Sequence, residues 1–391
     1  MAPNNALGGP TAAGLREAAE TQGVPAVRTG TRVSSPAPVA STRVATADGF
    51  GAGMVSSAEV AARGTGSAAR TPLEEFEARP NNEVRCFFTG LMFVTRLPCP
   101  GWCDHHPGYL MRGMAWFPVL GCIVGLWASV WFDALALLWP PLAAAASTSA
   151  ATLWLTGCFH EDGLCDTIDA FGGGWTKSQI LRIMKDSRCG SYAVMAGSLW
   201  ALAKVILLGY LGPSHWALAG STGAGPALLV ANCVARATAA PLIYCCEYVV
   251  DDEDAKGEYY NWFAESRRLL GLPRTAFAVV SATAVAFVLQ PPGHAARAVA
   301  AGCGVTVAAG MYGNSVLGGV MGDFLGATIC MAELAVYFAL TANLEGLAAA
   351  GLAGWPAAAG PWFRLAALVA APQAYAHLVR GPLAAMQGAD C

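Results

Sequence analysis

Charge is what this chain has least of. Only 13% of its 391 residues are Asp, Glu, Lys or Arg, against about 25% in an ordinary soluble domain. A soluble protein of this length needs far more polar cover, and so does a disordered chain. The net charge of −3 leaves no basic footprint for DNA or RNA, so no nucleic-acid partner is expected. No secretory apolar region opens the sequence. The 13 cysteines fall into no recognisable framework, which predicts reduced thiols rather than a disulfide scaffold. What the chain does have is apolar content: 55% of residues and a mean hydropathy of +0.46. That composition points to the membrane where the apolar residues form runs long enough to cross a bilayer.

The average hides a division. Residues 1–80 contain no lysine and few large apolar side chains, and are rich in Ala, Gly, Ser, Thr, Pro and Val. Such a segment cannot bury enough surface to offset its ordering entropy, so a disordered leader is expected over 1–80. Its arginines (Arg16, Arg28, Arg32, Arg43, Arg63, Arg70) with Ser and Thr suit an organellar transit peptide, although Glu17 and Glu20 run against that pattern. A transit peptide implies a plastid or mitochondrial membrane. Without one, the plasma membrane is the expected location.

From residue 81 the chain reads as a single membrane-embedded domain reaching to 391. Phe87 to Leu97 is apolar but too short to span, so it is expected to be interfacial or re-entrant. Candidate spans follow at 114–136, 140–158, 192–211, 224–248, 275–290, 297–320, 324–342 and 361–379. Many are rich in Ala and Gly, which lets helices approach closely in lipid. The expected fold is therefore all-α, a polytopic integral membrane bundle of six to eight crossings. Counting crossings places the polar stretches 159–190, 251–274 and 322–323 on one side, together with Arg96 and Arg112. That side holds most of the Lys and Arg, as the cytoplasmic or equivalent face should.

The most informative of these stretches is FHEDGLCDTID, residues 159–169. Asp162, Asp166 and Asp169 recur at i, i+4 and i+7, which on a helix projects three carboxylates from one face. Like charges so close are costly unless a cation sits among them. An all-oxygen donor set suits Mg²⁺ or Mn²⁺, and Glu161 or His160 at the start of the cluster could contribute a ligand or a proton acceptor. Cys158, His160 and Cys165 match no common zinc spacing. Gly172, Gly173 and Gly174 follow and could bring backbone amides close to phosphate oxygens. Next come Lys185, Asp186 and Arg188, of which Lys185 and Arg188 at i, i+3 could grip a diphosphate. The competing reading of each group is plain: a solvated acidic helix end, a turn, and basic residues flanking a span.

Three further charges interrupt apolar runs: Lys204, Arg236 and Glu333, the second with Asn232 four residues before it. Ionisable residues inside membranes are expensive, so several together suggest a polar cavity. Asp323, in the glycine-rich GGVMGDFLGA run at 318–327, stands again at a membrane edge, where it could face the 162/166/169 group.

These motifs carry a specific resemblance. FHEDGLCDTIDAFGGGW followed by IMKDSRCGSYAV closely resembles the signature of the cobalamin synthase family, the adenosylcobinamide-GDP ribazoletransferases. The likeness extends to FFTGLMFVTRLPCPG, AWFPVLGCIVG and GGVMGDFLGA, covering about 84–345 in order. Ala170, Cys165, Cys189 and Met321 depart from the usual pattern, and 251–266 looks expanded; none of these removes a carboxylate. The resemblance implies adenosylcobinamide-GDP and α-ribazole, or its 5′-phosphate, as substrates. The ribazole 3′-hydroxyl would attack the cobinamide-linked phosphorus, releasing GMP. Under that reading Glu161, Asp162, Asp166 and Asp169 hold Mg²⁺, and the Lys185 and Arg188 pair neutralises phosphate oxygens. The Gly172–Gly174 run, Asp186, Lys204, Arg236 and Asp323 complete the substrate site. A homo-oligomer is compatible with it. Two other classes compete: a CDP-alcohol-type membrane phosphotransferase, whose aspartate pattern differs from this one, and an ion-coupled transporter, which should carry an inverted repeat.

Overall fold

A computed structural model describes residues 72–103, 106–216, 220–249 and 262–343. The leader up to residue 71 and the span read at 361–379 lie outside the described residues. Thirteen α-helices are described. They are α1 (Pro72–Glu77), α2 (Glu83–Val94), α3 (Pro107–Gly113), α4 (Phe117–Ala136), α5 (Pro141–Thr156), α6 (Phe159–Gly173), α7 (Lys177–Met184), α8 (Ser191–Leu211), α9 (Ala224–Ala237), α10 (Ala239–Cys245), α11 (Ser266–Leu289), α12 (Pro292–Val316) and α13 (Gly322–Thr341).

Six described helical segments are long and apolar enough to cross a membrane: Pro107–Ala136, Ser191–Leu211, Ala224–Cys245, Ser266–Leu289, Pro292–Val316 and Gly322–Thr341. The pair α5 and α6 adds a seventh if counted as one span, but it is bent by 94°. The spans read between 114 and 342 thus match the helices to within about five residues, except that the one read at 275–290 begins nine residues earlier, at Ser266, where a kink at Gly271 joins two helical pieces. The apolar 87–97 run falls largely within α2, a helix of 12 residues.

Two spans form the centre. The Ala224–Cys245 and Gly322–Thr341 segments are 78% and 72% buried over their apolar windows, against 17% for Ser191–Leu211 and 22% for Pro292–Val316. The peripheral helices instead turn Leu199, Val280, Val307 and Met311 outward, as lipid-facing surfaces require. Close approach at the centre depends on small residues. On α4, a Cβ at Gly121 would stand 2.9 Å from the Cα of Cys233, and one at Gly125 2.5 Å from the Cα of Leu229. Both contacts are with the α9 backbone, so any side chain there forces the two helices apart. Gly121→Val is expected to cost about 1–3 kcal/mol by overpacking, measured as loss of thermal stability in detergent.

Within the stretch read as a leader, the described residues from Pro72 onward include a helix packed on the rest of the fold. The short PLEEFE segment supplies one aromatic anchor, Phe76, which is 1% exposed. Its ring stacks on His106 at 4.6 Å and meets Tyr109 and Trp262 edge-on, while the Arg112 guanidinium lies 4.5 Å from its centroid. Glu77 also pairs with Arg268 at 2.7 Å. One buried aromatic in an otherwise polar stretch suffices to order it; composition averaged over 1–80 conceals that residue.

Residues 247–249 and the α12–α13 loop meet in an isolated parallel bridge: Val249 N–H donates to Val320 O at 2.7 Å, and Val320 N–H to Glu247 O at 2.8 Å.

Candidate active site

The site begins at the α5–α6 bend. Gly157 (φ 68°, ψ 23°) ends α5 in the left-handed region, and Cys158 (φ 60°, ψ 21°) repeats that conformation. Cys158 is the one described non-glycine residue with positive φ, a conformation that persists only where the surroundings impose it. Two left-handed residues in succession turn α6 by 94° from the direction of α5. So turned, α6 seats on α13. A Cβ at Gly163 would stand 3.0 Å from the Cα of Asp323, and one at Gly326 3.4 Å from the Cα of His160. This contact brings Asp323 beside Asp162, as the sequence suggested.

Each helical residue turns the chain by about 100°, so Asp162, Asp166 and Asp169 share a face and His160 lies opposite. Asp162 is exposed, while Asp166 and Asp323 are half-buried. Burial pushes the Asp166 carboxyl up from 3.8 to about 6, and the Asp162, Asp323 and Asp169 carboxylates add to that push. A carboxylate so disfavoured by its neighbours is relieved by a cation. Among the described residues, no three His, Cys, Asp or Glu side chains close into a ready-made metal cage.

Asp169 has a different position from its two partners. It is buried and accepts from the backbone N–H of Gly190 at 2.6 Å and of Ala193 at 3.0 Å. Both bonds fix the N-terminus of α8, where a negative charge is also favoured by the helix dipole. Asp169→Ala should therefore cost about 0.5–2 kcal/mol as a lost cap, read by thermal melting.

The glycine run has local explanations. Gly172 lies under the Tyr192 ring, and Gly174 against Ile180 and the Ala170 carbonyl; only Gly173 is exposed. Beyond it, Arg188 folds onto Asp186, with Nη2 2.5 Å from Oδ2 and Nε 2.9 Å from Oδ1. The guanidinium beside it holds the Asp186 carboxyl at about 2. Arg188 thus has an anionic partner within its own loop, and Lys185 is exposed nearby.

His160 and Glu161 are not gathered with the aspartates. They turn inward, where Lys204 and Arg236 lie within electrostatic reach of both. Beneath them, Lys204 Nζ pairs with Glu333 Oε1 at 2.8 Å. The same oxygen accepts from Tyr337 OH at 2.9 Å and from Asn232 Nδ2 at 3.4 Å. Arg236 Nη1 donates to Asn232 Oδ1 at 2.7 Å. Lys204, Asn232, Arg236, Glu333 and Tyr337 are all buried. The buried His160 Nε2, Glu161 Oε2 and Arg236 Nε atoms have no hydrogen-bond partner among the described residues. Sequence reading found Lys204, Arg236 and Glu333 but not Tyr337; its spacing of four from Glu333 was the available signal.

Helices arranged so, with an acidic cluster on one face above a buried ionic core, define a polytopic membrane protein whose polar chemistry is concentrated at one end of the bundle. A family model described as "Cobalamin-5-phosphate synthase" matches residues 86–341, well over half of the chain. Curated relatives named "Adenosylcobinamide-GDP ribazoletransferase" agree with it. The one from Shewanella oneidensis is 36% identical over 267 residues, covering 66% of this chain and 95% of its own length. The one from Leptothrix cholodnii is 35% identical over 269 residues, covering 67% and 97%. No solved structure matches the chain. The chain belongs to the cobalamin-5-phosphate synthase family, and is accordingly a multi-pass membrane transferase of cobalamin biosynthesis.

Proposed function

We propose that this chain transfers the adenosylcobinamide phosphate of adenosylcobinamide-GDP to α-ribazole or its 5′-phosphate, with release of GMP. The observation that carries this reading is the convergence of Asp162, Asp166 and Asp323 at the α6–α13 contact, where Gly163 lets the two backbones touch. Phosphoryl transfer asks a protein chiefly for positioning and charge neutralisation, and three carboxylates at a membrane face supply the anionic half of that arrangement.

In this reading Asp162, Asp166 and Asp323 hold Mg²⁺, which when bound neutralises the diphosphate and the departing GMP oxygen. The ribazole 3′-hydroxyl forms the new bond to the cobinamide-linked phosphorus as the bond to GMP breaks, and a carboxylate of the same cluster accepts the hydroxyl proton. Asp169 holds the start of α8 in register with the cluster. Lys204 and Arg236 support His160 and Glu161 from below, and Lys185 stands at the rim.

The test is direct. Purified protein in detergent, given adenosylcobinamide-GDP and α-ribazole or its 5′-phosphate with Mg²⁺, should release GMP and form the cobalamin or its phosphate. Chelation should stop both. Absence of GMP release with either acceptor would overturn the reading.

A further inference from the structure

We infer that Arg96 grips the phosphate oxygens of the GDP-linked substrate, the part that Lys185 and Arg188 were expected to take. The inference rests on the proposed reaction and adds to it the cationic contact that its donor requires.

Placement comes first. The Arg96 backbone N–H donates to Leu155 O at 2.8 Å, tying the residue after α2 to the last turn of α5. Thr95 tightens the same corner, its hydroxyl donating to Leu91 O at 2.6 Å and accepting from Leu97 N–H at 3.2 Å. The side chain then lies along the α5–α6 bend: a Cβ at Gly157 would stand 3.1 Å from Arg96 Nε and 3.6 Å from Nη2. Glycine at 157 therefore serves the turn and leaves room for the guanidinium at once.

Charge comes second. Arg96, Glu161 and Asp162 all lie within electrostatic reach of the Cys158 thiol, so a cation and the edge of the acidic cluster flank a single residue. Yet the Arg96 guanidinium makes no hydrogen bond or ion pair among the described residues, and it is exposed. The contrast with Arg188, closed onto Asp186 by three hydrogen bonds, separates the two arginines. Arg188 has its anion in the loop; Arg96 is positioned by backbone contacts and keeps its fork open. A planar fork of donors beside a carboxylate cluster matches the two-sided demand of a diphosphate, which needs a divalent cation on one edge and bidentate hydrogen bonds on another.

Because the guanidinium makes no hydrogen bond or ion pair among the described residues, Arg96→Ala gives up only its packing along Gly157 and keeps the backbone N–H that anchors the corner. Arg96→Ala is expected to raise KM for adenosylcobinamide-GDP by about 10- to 100-fold, the value of a lost charge-assisted hydrogen bond. KM for the ribazole acceptor should stay within about twofold, and Arg96→Lys should recover part of the loss. A second readout does not need turnover: binding of a fluorescent N-methylanthraniloyl-GDP to detergent-solubilised protein should weaken by the same factor. Unchanged KM and unchanged fluorescent-GDP binding in Arg96→Ala would overturn the inference. So would equal losses for both substrates. If the wild-type protein released no GMP while Arg96→Ala still lost fluorescent-GDP binding, the reaction would be wrong and the diphosphate contact right.

Discussion

Asp166→Asn is expected to lower the proposed Mg²⁺-dependent GMP release by about 10²–10³-fold, the usual scale for removing one preorganised charge-stabilising group, while the protein stays inserted and folded. Asn keeps the size of Asp166 and one acceptor oxygen but removes the charge that the acidic face concentrates. The expected fingerprint is a raised Mg²⁺ requirement, which a general loss of folding would not produce. Wild-type turnover at unchanged Mg²⁺ would sink the assignment. Stability gives an independent check with a defined sign. The folded-state Asp166 carboxyl lies at about 6 against 3.8 unperturbed, so the folded protein holds the proton more tightly than the unfolded chain. In chelator, stability contributed by the protonated form is complete below about pH 4 and lost as pH rises through about 6. Asp166→Asn should flatten that slope, and Mg²⁺ should restore stability to the wild type at neutral pH.

Severing the buried Lys204–Glu333 pair has the largest effect expected on the fold. Lys204→Met or Glu333→Gln leaves one partner's charge in the bundle centre without its bonded counterion, a change that costs about 3–5 kcal/mol in buried pairs. Glu333→Gln also changes what Tyr337 and Asn232 meet, since both donate to the same carboxylate oxygen. Combining Lys204→Met with Glu333→Gln should recover part of the stability, because no uncompensated member of the pair is then left buried. Melting curves of the single and double variants in detergent measure the coupling. Additive losses would mean the two side chains act independently.

The reach of the sequence differs from residue to residue. Spans were legible because apolar run length is a one-dimensional property. The i, i+4, i+7 spacing correctly put Asp162, Asp166 and Asp169 on one face. It could not show that Gly190 and Ala193 amides take up Asp169, since that bond joins residues 21 and 24 positions apart. Adjacency in sequence also grouped His160 and Glu161 with the aspartates, whereas the helical turn sends them to the buried side. Arg188 and Arg96 look alike as sequence; only tertiary placement distinguishes an arginine closed onto Asp186 from one left open at the bend. Phe76 was lost to averaging, because one anchoring aromatic barely alters the composition of an 80-residue stretch.

The bend at Gly157 and Cys158 sets the aim of the carboxylates. With α6 turned 94° from α5 and seated on α13 through Gly163 and Gly326, Asp162 and Asp166 are carried by a corner only two residues long. A lever that short passes any change of backbone angle straight to the cluster, so the corner is where the geometry of the site is most easily lost.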